Sequence, residues 1–160
     1  MRIRRPEPAL AARQAQWIAG MEPWRSLGYQ RKPLGRYLGR MARARRALVA
    51  EAQGEVLGML VFQPDFLLGT FVALLAVRPE TAGQGIGRTL MARVEQASFA
   101  KQRWLYVSSD SANRPAGRFY RKLGFTRVAR LPGLIRDGHT EILWRKRRGA
   151  RDGTTAARSG

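Results

Sequence analysis

An apolar strand that runs into a glycine-rich loop and re-emerges as a helix constrains this chain more than any other feature. The stretch PETAGQGIGRTLMARVEQA, Pro79 to Ala97, carries Gly83, Gly85 and Gly87 at alternate positions. Ahead of it, GTFVALLAV is apolar on both faces, as a central strand is. Behind it, Ile86, Leu90, Val94 and Ala97 fall on one stripe while Arg88, Arg93, Glu95 and Gln96 stay polar, so a helix begins near Gly85. A strand ending near Val77, a loop and a helix start put several N–H groups at a positive helix terminus, which is an anion site. Glycines let an extended phosphate chain approach the backbone with no Cβ in the way. Arg88, in the first turn, adds a direct charge contact. Neither common nucleotide loop fits. The third glycine of G-x-G-x-x-G would fall at Arg88 or at Leu90, and no Lys-Ser/Thr pair follows. A tight strand-to-helix turn without a ligand is the plain alternative.

The flanking pattern predicts one mixed α/β domain over 1–147. PALAARQAQWIAGMEPW spaces Leu10, Gln14, Trp17, Ile18 and Met21 as one helix, closed by Gly20 and Pro23. KPLGRYLGRMARARR spaces Leu34, Tyr37, Leu38 and Met41 as a second, against the cost of its glycines. ALVAEAQGEVLGMLVFQ reads as a β-hairpin reversing at Gln53-Gly54. After the long helix come the strand RWLYVSS, a helix from Asn113 to Leu123 stopped by Gly124, and the strands GFTRVARL and HTEILWRK. The order implies one central sheet with flanking helices and no internal repeat. Residues 148–160 hold nothing apolar larger than alanine and are expected to be a disordered basic tail.

Composition removes several classes. There is no cysteine and one histidine, His139, which excludes disulfides, thiolate metal sites and His-rich metal centres, so no metal is expected. The apolar runs VLGMLVF and FVALLAV fall far short of the roughly 20 residues of a membrane span. The segment MRIRRPEPALAARQAQW lacks the apolar core of an export signal, which predicts a cytoplasmic chain. The formal charge of +19 favours anionic partners, but 26 of the 30 basic residues are Arg, the skew of a biased proteome. Nucleic acid is disfavoured as a partner: there is no aromatic RNA-binding signature, and the basic arms are not interleaved with exposed aromatics.

A second cluster narrows the reading. NRPAGRFYRKLGF, Asn113 to Phe125, follows the loop, and the two segments together resemble the GCN5-related N-acetyltransferases (GNAT), whose acetyl-CoA loop is R/Q-x-x-G-x-G/A. Here that loop is AGQGIG, Ala82 to Gly87, preceded by LLAVRPE, and the resemblance spans roughly 49–146. It implies a largely antiparallel twisted sheet of about six or seven strands, splayed between two central parallel strands. It also implies acetyl-CoA as co-substrate and a primary amine, on a small molecule or a protein N-terminus, as acceptor. By the same resemblance the backbone of Leu75, Ala76 and Val77 meets the pantetheine arm. The N–H groups of Gly83, Gln84, Gly85, Ile86, Gly87 and Arg88 hold the pyrophosphate, and Asn113 hydrogen-bonds pantetheine. Tyr120 is the implied general acid, since a phenol with a reference pKa near 10 is protonated at neutral pH and can donate to the departing thiolate. The amine attacks the thioester directly, its oxyanion held by backbone N–H groups. Tyr120 beside Phe119 also suits a core aromatic pair, and Asn113 before Arg114-Pro115 also suits an N-cap.

The chain departs from the family in two places. Ala82 replaces the usual Arg or Gln, which predicts weaker cofactor binding through an intact backbone cradle. No carboxylate lies between Phe71 and Val77, and where the family's ribosomal-protein acetyltransferases place a Glu five residues before the Asn, this chain has Ser108. The base is therefore open among Asp110, Glu141, His139, Glu22 and water, with Asp110 also suiting a turn and Glu141, alternating with Ile142 and Trp144, also suiting a solvent-facing site. Glu22, Trp24 and Tyr29 are candidates for the acceptor pocket, while Trp17 and Trp24 also suit a cap on the sheet. The strong positive field disfavours polycationic acceptors. Two other functions stay open: a non-catalytic acyl-CoA-binding module and a basic ribosome- or RNA-associated protein. So does the choice between monomer and homodimer.

Overall fold

The computed structural model describes residues 1–150. In chain order the elements are β1 (Arg2–Arg4), α1 (Pro8–Arg13), α2 (Ala15–Ile18), α3 (Arg31–Arg43), β2 (Ala47–Ala52), β3 (Glu55–Phe66), β4 (Gly69–Val77), α4 (Ile86–Phe99), β5 (Trp104–Asp110), α5 (Arg114–Lys122), β6 (Thr126–Pro132) and β7 (Thr140–Arg147). The seven strands form a sheet in the order β1-β2-β3-β4-β5-β7-β6. The chain divides into two compact units, residues 1–63 with 72–97, and residues 64–71 with 98 onward.

In the first unit β1 pairs antiparallel with β2, and β2 with β3. The hairpin reverses at Gln53 and Gly54, both at positive φ (52° and 80°), the conformation of a type I′ turn. Its core joins Ala11, Ile18, Leu34, Leu38, Val49, Met59, Val61 and Leu74, with Trp17 and Trp24 packed partly buried against it. The glycines of α3 turn out to be a packing device. A Cβ at Gly35 would lie 3.2 Å from the Ala12 carbonyl, and one at Gly39 3.5 Å from that of Pro8, so the missing side chains let α1 and α3 approach closely. The first helix differs from expectation. It breaks at Gln14, whose buried amide donates to the Leu10 carbonyl at 2.8 Å and accepts the Trp17 indole at 2.9 Å. Strand β1 has no counterpart in the sequence reading. It is anchored by Arg4, which pairs with Glu51, and by Arg2, 3.7 Å from the same carboxylate.

On α4, Ile86, Leu90, Met91 and Val94 are buried, but Ala97 is exposed. The stripe ends instead on Ser98, which is buried and donates to Thr70 Oγ1 at 2.7 Å, a bond within the second unit. The same unit contains the β3–β4 reversal, where Leu67 and Leu68 sit at φ 45° and 60° and are exposed. It also contains β7, paired antiparallel with β5 on one side and β6 on the other. The tail expected to be disordered lies, from residue 151, outside the described residues. Residues 148–150 turn back, the Arg148 N–H donating to the Arg103 carbonyl at 2.9 Å. Among the described residues, no helix is long and apolar enough to cross a membrane.

Candidate active site

The loop after β4 is built from its own backbone. Arg78 anchors its start: the N–H donates to the Leu57 carbonyl at 2.8 Å and Nε to that of Val56 at 2.7 Å, with Trp17 stacked 5.1 Å from the guanidinium. Pro79–Thr81 form one 3-10 turn, and Thr81 Oγ1 closes it on the Arg78 carbonyl at 2.9 Å. Gly83 and Gly85 then adopt φ of 80° and 77°, where side chains are strained, and a Cβ at either would meet nothing within 4 Å. These glycines answer to backbone conformation, and the space above them is open. The first helical bond of α4 is Thr89 N–H to the Gly85 carbonyl at 3.0 Å, so the N–H groups of Ile86 and Gly87 precede the ladder. Gln84 turns its N–H toward Thr81, 3.4 Å from the carbonyl. Gly87 lies inside α4 with no left-handed φ. Leu75 and Val77 are half-buried and Ala76 is buried at the end of β4.

In the second unit, α5 opens on Asn113, whose Oδ1 accepts the Ala116 N–H at 3.2 Å. The N-cap role holds, with Pro115 in the first turn. The helix closes on a Schellman pair: Gly124 (φ 89°) donates to the Arg121 carbonyl at 3.0 Å and Phe125 to that of Tyr120 at 3.0 Å. This motif fixes Tyr120 from its own backbone. Its ring lies 5.8 Å from Phe125, 5.3 Å from Phe119 and 6.4 Å from Trp144. Tyr120 is 6% exposed, and burial, helped by the nearby Glu141 charge, pushes its phenol well above the ordinary tyrosine value. It stays protonated across the working pH range of a protein.

An ionisable cluster completes this unit. In the β5–β7 ladder Ser108 faces Leu143 and Asp110 faces Glu141, so Ser108, Asp110 and Glu141 share one face. Ser109, Ile142 and Trp144 share the other, where the Trp144 indole donates to Ser109 Oγ at 2.9 Å and Gly117 of α5 leaves room for the Trp144 ring. Glu141 was open to a solvent-facing reading, and this is corrected: it is 4% exposed, because β7 lies between two strands and is covered on both faces. Burial drives its carboxyl above the usual range, the Asp110 charge adds to that, and the Ser108 hydroxyl and His139 work against it. Asp110 is also buried. Its Oδ1 accepts the Ala112 N–H at 2.8 Å and its Oδ2 meets His139 Nδ1 at 2.8 Å, so both oxygens are engaged. Its turn role holds, and the histidine is an added partner. The His139 side chain keeps 32% exposure.

The acceptor candidates are dispersed. Glu22 Oε1 accepts from Arg25 at 2.9 Å and Oε2 from the Ser26 N–H at 3.3 Å, bonds that hold its carboxyl below the usual range. Trp24 packs on the core of the first unit and Tyr29 is exposed. Among the described residues, no group of three or more His, Asp or Glu is placed to hold a metal ion.

The family model described as acetyltransferase (GNAT) family matches residues 10–125. An uncharacterized N-acetyltransferase of Methanocaldococcus jannaschii is 32% identical over 102 residues, which span 62% of this chain and 65% of that protein. Among solved structures, Ard1 of Thermoplasma volcanium superposes with a TM-score of 0.76 at 23% identity, over 91% of this chain and 96% of that one. An aminoglycoside 6′-N-acetyltransferase complexed with coenzyme A gives 0.74 at 18%, over 92% and 97%. These likenesses establish the fold, and with the family match over most of its length the chain belongs to the acetyltransferase (GNAT) family.

Proposed function

We propose that this protein is an acetyl-CoA-dependent N-acetyltransferase that moves an acetyl group to a primary amine by direct attack in a ternary complex. The observation that carries the reading is the paired left-handed glycines, Gly83 and Gly85, directly before the N-terminus of α4, where the N–H groups of Ile86 and Gly87 precede the helical ladder. Backbone donors at a helix N-terminus, with open space above them, suit the diphosphate of coenzyme A. A relative of the same fold is named as complexed with coenzyme A, which agrees with that ligand.

In this reading the N–H groups between Gly83 and Arg88 bind the diphosphate, that of Gln84 after leaving the Thr81 carbonyl, and the backbone of Leu75, Ala76 and Val77 lies along the pantetheine arm. Asn113 spends its Oδ1 on the helix cap, so its amide NH2 is the part that meets a pantetheine carbonyl. As the amine nitrogen bonds to the acetyl carbon, the C–S bond breaks and Tyr120 passes its proton to the thiolate. Burial keeps the proton on the phenol in the resting protein, so it is there to be donated. Glu22, bonded to Arg25 and Ser26, serves acceptor binding only if those bonds open, while Trp24 and Tyr29 remain candidates to line the pocket.

Isothermal calorimetry with coenzyme A tests the cofactor, and a thiol-release assay with acetyl-CoA and a panel of primary amines tests transfer. Tyr120→Phe is expected to keep coenzyme A affinity and lose at least about a hundredfold in turnover. Undiminished turnover would remove the acid role. Binding with no turnover on any amine would favour a non-catalytic acyl-CoA module.

A further inference from the structure

The base is the missing half of this chemistry, and the second unit holds two buried carboxylates, Asp110 and Glu141. Asp110 has both oxygens bonded, one to the turn and one to His139. Glu141 stands directly across the ladder from it, with the apolar Leu131 of β6 as its neighbour on the other side. Its polar surroundings are the Ser108 hydroxyl, the Asp110 carboxylate and His139, and Tyr120 is close enough to feel its charge. A carboxylate at 4% exposure beside the Asp110 charge is expensive to keep ionised even with the Ser108 hydroxyl and His139 favouring it, and a carboxylate held for proton transfer is one reason to keep it.

The register adds the geometric argument. Glu141, Ser108 and Asp110 lie on one face of the β5–β7 ladder, and Trp144, which touches Tyr120, lies on the other. The ladder gathers Ser108, Asp110 and Glu141 on one face, and the Glu141 charge still reaches Tyr120. Within the same cluster His139 is the part-exposed member, tied to buried Asp110 at 2.8 Å.

From this arrangement we infer that Glu141 is the general base that takes a proton from the acceptor ammonium so that the free amine can attack, positioned by the Ser108 hydroxyl, with the Asp110–His139 pair passing that proton to solvent. The inference rests on the N-acetyltransferase reading. The step balances: Glu141 takes one ammonium proton and releases it to solvent, the freed amine forms the N–C bond as the C–S bond breaks, the thiolate takes the Tyr120 proton, and the second proton lost by the nitrogen restores the Tyr120 phenol. Glu141 contacts substrate, while Ser108, Asp110 and His139 are positioning residues.

The test uses the full chain with acetyl-CoA and a fixed panel: benzylamine, spermidine, and hexapeptides beginning with Ala, Ser or Met, read as thiol release between pH 5.5 and 9.5. Hydrolysis of acetyl-CoA without acceptor is followed alongside, water standing in for the amine. Calorimetry with coenzyme A keeps the two readings apart. If the wild type lacks affinity, the acetyltransferase reading itself fails. With affinity present, Glu141→Gln is expected to bind coenzyme A as tightly as the wild type, lose about 10²–10⁴ in kcat, and lose the acid limb of the rate profile. Ser108→Ala and His139→Gln each remove an influence that favours the ionised carboxyl, so each is expected to lower turnover less than Glu141→Gln does and to move the limb to higher pH. These two variants carry the test should Glu141→Gln fail to fold. Unchanged turnover in Glu141→Gln, abolition by His139→Gln alone, a limb that stays put in Ser108→Ala, or a wild type that binds coenzyme A yet turns over nothing would each overturn the inference.

Discussion

Gly58 of β3 and Ile86 of α4 are in such close approach that a Cβ on Gly58 would lie 2.8 Å from Ile86 Cγ2, with Leu90 Cδ1 at 3.1 Å and the Ala76 carbonyl at 3.2 Å. The missing side chain seats the first turn of α4 against the sheet, and that turn carries the proposed phosphate donors. Gly58→Ala is expected to displace it, cost roughly 1–3 kcal/mol of stability and weaken coenzyme A binding in calorimetry. Gly20→Ala, with an ordinary 3.6 Å contact, is the control and should do neither. Unchanged affinity in Gly58→Ala would show that the helix start does not depend on this contact.

Gly83 and Gly85 offer a different experiment, because a Cβ there clashes with nothing and the whole cost is the left-handed backbone. That cost is about 1–2 kcal/mol per residue for a side-chain-bearing amino acid. Alanine at either position is expected to raise the coenzyme A Kd about tenfold, since 1.4 kcal/mol is a factor of ten. Gly138→Ala carries the same strain at φ 82°, also in open space, in the β6–β7 loop. It should leave the affinity alone. If all three variants bind equally, the loop is a turn and no cradle.

The part of this architecture legible in the sequence is the part whose signal is local. Gln53-Gly54, the glycine loop, the α4 stripe as far as Val94, and Gly124 after α5 each announce themselves through turn chemistry or period. What stayed hidden depends on distant partners. Arg2–Arg4 has no apolar pattern, and it is a strand because β2 offers an edge and Glu51 offers a charge. Leu67 and Leu68 lie between the two strand runs with no turn residue to mark them, yet they turn the chain at positive φ. Glu141 follows the alternation of a half-exposed strand, a rule that fails when strands on both sides and cover on both faces bury it. Asp110 and His139, 29 residues apart, meet only through the β5–β7 register. The ionisable cluster of the second unit was therefore visible as separate residues but not as a cluster.

Tyr120 is held by the end of its helix, and this can be tested apart from its hydroxyl. Gly124 supplies the left-handed residue of the Schellman pair, and Phe125 both bonds to the Tyr120 carbonyl and packs on its ring. Gly124→Ala is expected to lower stability by about 1–2 kcal/mol in urea denaturation. Turnover should fall while coenzyme A affinity holds, because the acid moves and the cradle does not. A loss of affinity equal to the loss of turnover would contradict that separation.

Glu141 and Glu51 should respond to pH with opposite signs. The Glu141 carboxyl is raised in the folded protein, mainly by burial, so its contribution to stability is present below the ordinary carboxylate value and is lost as pH rises through the folded value. Glu141→Gln removes that loss, and its Tm is expected to gain on the wild type as pH rises from 4 to 8. Glu51 is lowered, first by its hydrogen bond from Arg4, so its contribution is present above the ordinary value and is lost as pH falls through the folded one. Glu51→Gln should accordingly be the less stable protein at pH 7 and approach the wild type in acid. Differential scanning calorimetry across that range reads both variants. A Glu141→Gln protein that is less stable than the wild type at pH 8 would mean that the buried carboxylate contributes to the fold. The stability cost that points to a proton-transfer role would then be absent.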